Sequence, residues 1–138
     1  MTLKTKLKPL GECKMGLTHV AVSLLTSGSH SKDTYNADFL VDTGSTDTMA
    51  PASELKKIGI EPDGKDLFEL ANGELVEFEY GVAKLAFMNE IIGTRILFGP
   101  DGSEPILGVI ALESAGFIVD PKNQRLHKLR ARPLKRVA

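Results

Sequence analysis

Ala37-Asp38-Phe39-Leu40-Val41-Asp42-Thr43-Gly44-Ser45-Thr46-Asp47-Thr48-Met49 is the stretch on which the reading of this chain turns. An apolar run ending in Asp-Thr-Gly predicts a buried strand that delivers one carboxylate to a tight turn, where Gly44 lets the backbone bend and approach closely. Phe39, Leu40 and Val41 favour burial, so Asp42 leaves a core strand and needs donors, a partner charge or a shared proton. Thr43, Gly44 and Ser45 offer those donors through N–H and hydroxyl groups, and the Ser45 hydroxyl is placed to bond the Asp42 carboxylate. The plain alternative is an Asp-Thr-Gly turn without chemistry, and the tripeptide alone does not decide between the two.

Composition narrows the field. A chain of 138 residues, 42% hydrophobic and 25% charged, holds one core and is too short for two. Cys13 is the only cysteine, which excludes an intrachain disulfide and fits a reducing compartment. The N-terminus carries lysines but no apolar run long enough for a signal peptide, and no later stretch approaches a membrane span, so a cytoplasmic protein without a membrane partner is expected. The net charge of −1 is unevenly spread. The residues from Pro121 onward hold Lys122, Arg125, Lys128, Arg130, Arg132, Lys135 and Arg136 and no acid, leaving an acidic body. That tail lacks interleaved aromatics, so nucleic acid is not expected as a partner and a solvated or self-docking tail is. His19, His30 and His127 are scattered without ligand spacing, so neither metal nor cofactor is expected.

Along the chain, residues 1–14 place Leu3, Leu7 and Leu10 among lysines and predict no more than a loosely docked arm or a dimer-contact strand. Alternation from Met15 to Leu25 predicts a strand, a Ser- and Gly-rich turn follows, and Thr34 to Val41 returns to complete a hairpin. Pro51 to Ile58 reads as a short helix with Pro in its first turn and Gly59 at its end. Asn72-Gly73 between the alternating runs of Asp66 to Tyr80 is a strong hairpin signal. Val82–Phe87 and Ile91–Phe98 read as apolar strands separated by residues 88–90, and 99–105 as a turn-rich loop. A helix over 109–115 ends at Gly116, followed by a strand at 117–119 and a turn into 125–129. Asp101 and Asp120 are the rival carboxylates. Asp101 lies in a polar loop with no buried strand before it, and Pro121 after Asp120 precludes a Thr-Gly turn.

Asp42-Thr43-Gly44 and the downstream Ile106-Leu107-Gly108, followed by Val109-Ile110-Ala111-Leu112, together resemble the retropepsin-like (retroviral-type, clan AA) aspartic proteases, in which an apolar-apolar-Gly segment packs behind the Asp-Thr-Gly loop. The resemblance spans roughly Leu17 to Leu129. It implies a mainly β fold: a single-domain closed β-barrel over 15–129 with a flap hairpin and one or two short helices, an arm over 1–14 and a basic tail over 130–138. The helix at 51–58 is not a retroviral feature and points to a non-viral member.

The resemblance also implies the chemistry. Carboxylate-driven peptide hydrolysis needs one ionised group to take a proton from water and one protonated group to polarise the scissile carbonyl, and two carboxyls sharing a proton supply both. This chain has one such motif, so the implied enzyme is a homodimeric aspartic endopeptidase in which Asp42 of each subunit meets its mate on a twofold axis. Thr43 would hold the two loops by bonds across that axis, and the Gly44 N–H would orient the carboxylate. The flap tip falls at Ala71, Asn72 and Gly73, which with Ser45 and Asp47 are the expected contacts to a peptide or protein substrate. Many retroviral members brace the loop with an acid two positions after the motif Gly and an Arg directly after the downstream Gly. Those positions are Thr46 and Val109 here, so the brace must come from elsewhere. The rival reading is a non-catalytic module of the same fold that dimerises or binds peptides.

Overall fold

Alternating apolar residues build the first barrel strands of the computed structural model, which describes residues 5–7, 18–26, 33–120 and 122–134. In β2 (Thr18–Thr26), Val20, Val22 and Leu24 are buried while the residues between them are more exposed. It pairs antiparallel with β3 (Tyr35–Val41), with Val20 opposite Phe39 and Thr18 opposite Val41. Within the Phe39-Leu40-Val41 run the pleat separates the faces. Phe39 and Val41 are buried, whereas Leu40 is only half-buried on the other side. Ahead of these strands β1 (Thr5–Leu7), inside the expected arm, pairs antiparallel with β2. The rest of the arm, Cys13, the start of the expected strand at 15–17, most of the 26–33 turn, Pro121 and the end of the tail lie outside the described residues.

The remaining strands of the main sheet are β4 (Thr48–Pro51), β5 (Gly64–Glu69), β6 (Leu75–Phe87), β7 (Glu90–Gly99) and β8 (Ile106–Leu107). Strands β2-β3-β8-β4-β7-β6 are neighbours in that order, and Ser23–Thr26 of β2 pairs with Ala83–Ala86 of β6, which closes a six-stranded barrel. Closure leaves no free edge around the ring. Phe39, Leu24, Leu85, Ile96 and Leu107, each essentially without exposure, fill its core. The mainly β single-domain barrel with two short helices is thus the architecture expected from the motifs.

Several boundaries differ from the sequence expectation, each for a local reason. Thr48-Met-Ala-Pro51 is a strand, parallel to β7 and antiparallel to β8, and Pro51 closes it, so the helix α1 (Ala52–Lys57) starts one residue later than expected. Its N-terminus has no cap of its own; the Ser53 N–H donates instead to Asp101 Oδ1 at 2.9 Å. Glu90 belongs to β7, because Met88 and Asn89 both take positive φ and form a two-residue turn between the paired Phe87 and Glu90. The Asn72-Gly73 hairpin also turns differently from a two-residue loop. Only Gly73 has positive φ (85°), its N–H bonds the Leu70 carbonyl, and Leu70 bonds Glu74, which is a four-residue turn followed by a glycine bulge.

The second helix, α2 (Val109–Ser114), leads into β9 (Phe117–Asp120), which pairs with β10 (Arg125–Lys128) as a small separate sheet. Phe117 and Leu126 reach back to the core, and Phe87 meets the Phe117 ring at 5.9 Å between centroids. The described part of the basic tail docks on the chain itself: Arg132 Nη1 donates to the Ser114 carbonyl, and the Lys128 ammonium sits 5.1 Å from the centre of the Phe117 ring. Cations at the last carbonyls of α2 meet the negative end of the helix.

Candidate active site

The site begins where two core strands stop. Leu40 and Val41 of β3 run parallel to Ile106 and Leu107 of β8, and the Asp42 N–H bonds the Leu107 carbonyl at 3.1 Å. Asp42 is therefore held by backbone on a strand pair whose Val41 and Leu107 are buried, while its own residue is half-exposed. Its carboxylate receives two donors from the turn that follows. The Gly44 N–H reaches Oδ1 at 2.9 Å and the Ser45 hydroxyl reaches Oδ2 at 3.2 Å. The turn is closed by the Ser45 N–H on the Asp42 carbonyl at 3.1 Å. Thr43 and Gly44 are exposed at its outer edge.

Behind the turn sits the Ile106-Leu107-Gly108 segment. Gly108 packs so close to the loop that a Cβ there would lie 2.5 Å from the Asp47 carbonyl oxygen, so only glycine fits. Its N–H donates to the buried Thr48 hydroxyl at 3.0 Å. The N–H groups of Val109 and Ile110, which open α2, donate to the carbonyls of Ser45 and Thr46. The first two N–H groups of that helix are thereby satisfied by the Asp42 loop, and the loop is fixed from Ser45 to Thr48.

Asp47 has its carboxylate turned inward, 6% exposed, and paired with Arg95 Nη2 at 2.8 Å. The hydrogen bond to Asp47 holds the Arg95 guanidinium above its ordinary pKa. This pair supplies a side-chain brace for the loop where the side chains of Thr46 and Val109 supply no ion pair. Arg95 was not a sequence candidate. The signal was present, since it is the one charged residue within the apolar run Ile91–Phe98, and a cation on a barrel strand needs an acid.

A cleft of about 230 Å³ opens between this loop and the β5–β6 hairpin, lined by Ser45, Asp47 and Met49 on one side and Phe68, Leu70 and Phe78 on the other. The hairpin tip, Ala71, Asn72 and Gly73, is exposed and stands beyond the lining residues. Of the predicted substrate contacts, Ser45 and Asp47 line the cleft, with Asp47 already ion-paired. The rival carboxylates serve local structure. Asp101 caps α1, and the Ser53 N–H holds its carboxyl below the usual range. Asp120 accepts from the Asn123 side chain, His127 and two backbone N–H groups, which bring its pKa down to about 2. Among the described residues no group of three or more His, Cys, Asp or Glu could hold a metal ion, and no helix is long and apolar enough to cross a membrane.

A family model described as an aspartyl protease matches residues 27–110, which takes in the Asp42 loop, the hairpin and Gly108. No curated protein matches the chain.

Proposed function

The chain belongs to the aspartyl protease family of the retropepsin-like clan, and on that premise we propose that it is an aspartic endopeptidase that works as a homodimer, with the Asp42 carboxylates of two subunits activating one water. The observation that carries the reading is the Asp42 loop itself: a carboxylate at the end of a core strand pair, oriented by Gly44 and Ser45, beside an apolar cleft. The chemistry needs two carboxyls that share a proton, one to deprotonate water and one to polarise the peptide carbonyl. Asp101 caps α1 and Asp120 ties the β9–β10 turn, so this reading takes the second carboxyl from a second copy. Exposure of Thr43 and Gly44 at the outer edge of the loop supports a twofold contact there, since a symmetric interface presents the same patch twice.

In the dimer the ionised Asp42 takes the water proton as oxygen attacks the scissile carbon, and the protonated Asp42 of the mate donates to the carbonyl oxygen. The tetrahedral diol then collapses as the mate's ionised Asp42 takes back a hydroxyl proton and the first Asp42 gives the proton it took from water to the nitrogen, which leaves as the amine. Ser45 and Gly44 keep the ionised carboxylate aimed at the water, and the apolar lining of the cleft receives substrate side chains.

Digestion of a peptide library at several pH values, with and without a statine-type transition-state mimic, tests this. Cleavage that the mimic blocks is the expected result. Peptide binding without cleavage at any pH would establish a non-catalytic binding module instead.

A further inference from the structure

Arg95 of β7 is the residue on which both walls of the cleft converge. Its Nη2 donates to Asp47 Oδ2 at 2.8 Å and its Nη1 to Asp66 Oδ2 at 3.3 Å. Its guanidinium carbon stands 4.8 Å from the centre of the Tyr80 ring and 5.8 Å from that of Phe68. Asp47 belongs to the loop that carries Asp42, whereas Asp66, Phe68 and Tyr80 belong to the two hairpin strands. A guanidinium has the shape to join them, because its planar fork bonds two carboxylates through its edge while its flat face stacks on aromatic rings, a plane and fork that an ammonium lacks. The two ends of the tie are unequal. Asp47 is nearly enclosed, so breaking its pair strands a buried charge, while Asp66 is 51% exposed and its arm is the weaker one.

We infer that Arg95 is a positioning residue that ties the base of the β5–β6 hairpin to the Asp42 loop, so that a peptide entering the cleft orders hairpin and loop as one unit. The catalytic consequence rests on the proposed protease reading, while the tie itself can be read without any cleavage.

The experiment compares backbone amide exchange over residues 64–80 in the full wild-type chain, Asp66→Asn, Arg95→Lys, Arg95→Met and the double variant Asp47→Asn/Arg95→Met, together with steady-state kinetics on the best library peptide. Asp66→Asn is expected to speed hairpin exchange about two- to fivefold and to raise KM with kcat within about twofold, as suits an exposed ion pair. Arg95→Met is expected to speed exchange by about tenfold or more and to change KM and kcat together. Arg95→Lys should restore part of the protection, because it keeps the charge and loses the fork. One further chain adds Asp66→Asn to Arg95→Met or, where that does not fold, to Asp47→Asn/Arg95→Met, and the added substitution should have no further effect. If Arg95→Met fails to fold around an unpaired Asp47, the double variant, which buries no charge, carries the comparison. Hairpin exchange unchanged in both Asp66→Asn and the double variant would overturn the inference, as would an Asp66→Asn effect that persists without Arg95. Should the wild type cleave nothing, the protease reading falls and exchange still decides whether the tie exists.

Discussion

The N–H of Gly108 donates to the Thr48 hydroxyl, a residue 60 positions earlier and 2% exposed, and this bond seats the Asp42 loop on the segment behind it. Thr48→Val keeps the shape and removes the acceptor, leaving a buried N–H unsatisfied. The expected cost is about 1–3 kcal/mol of folding stability, read as a lower urea midpoint at unchanged slope. An unchanged midpoint would show that the loop is held without this bond.

Asp42→Asn retains size and the capacity to accept from Gly44 but can no longer exchange a proton with water. Cleavage of library peptides is expected to fall by roughly 10²–10⁴, with thermal midpoint and sedimentation preserved. Wild-type rates in the Asn variant would remove Asp42 from the chemistry.

A single Asp-Thr-Gly loop per chain predicts activity that depends on concentration. Specific activity should decline on dilution through the dimer dissociation constant, and excess Asp42→Asn subunits should suppress wild-type activity by forming mixed dimers. An active species that sediments as a monomer would contradict this.

Where sequence pattern was local, it was legible. Period-two alternation located β2, the apolar run ending in Asp42 located β3, and Asn72-Gly73 located the hairpin, although Gly73 alone takes positive φ and the turn is longer than the dipeptide suggests. Residues whose roles depend on distant partners were not legible. Thr48-Met-Ala-Pro51 is too short and too proline-marked to read as a strand, and it becomes one only because Ile96–Gly99 and Ile106 flank it. Arg95 lies 48 positions from Asp47, so a lone cation in an apolar run gave no hint of which acid it meets. Leu40 illustrates a smaller gap: three apolar residues in a row do not say which one faces away from the core, and the pairing with β2 and β8 decides it.

The Ser45 hydroxyl bonds Asp42 Oδ2 at 3.2 Å, on the opposite oxygen from the Gly44 N–H, so the two donors fix the carboxylate plane. In the proposed mechanism, removing one of them would let the carboxylate rotate away from the attacking water. Ser45→Ala is expected to lower kcat/KM about tenfold, the low end for a bond to a charged group, with folding stability changed by less than about 1 kcal/mol. Equal kcat/KM in the two proteins would show that Gly44 alone suffices to aim Asp42.

Asp120 provides a pH-dependent contribution at the other end of the molecule. Its carboxylate accepts from Asn123 Nδ2 at 2.8 Å, His127 Nε2 at 3.1 Å and the Lys122 N–H at 3.1 Å, tying the turn between β9 and β10, and its pKa falls from the ordinary 3.8 to about 2. A carboxyl whose folded-state pKa is depressed stabilises the fold fully above its unfolded-state value and loses that contribution as pH falls through the folded-state value. The relevant window therefore runs from about pH 4 down to about pH 2. Asp120→Asn keeps one acceptor oxygen and cannot ionise. The wild type should have the higher thermal midpoint above about pH 4, and the gap between the two proteins should narrow steadily as pH approaches 2. The measurement is a series of thermal melts of both proteins across that range, and a gap that stays constant with pH would show that the Asp120 charge contributes nothing to holding the β9–β10 turn.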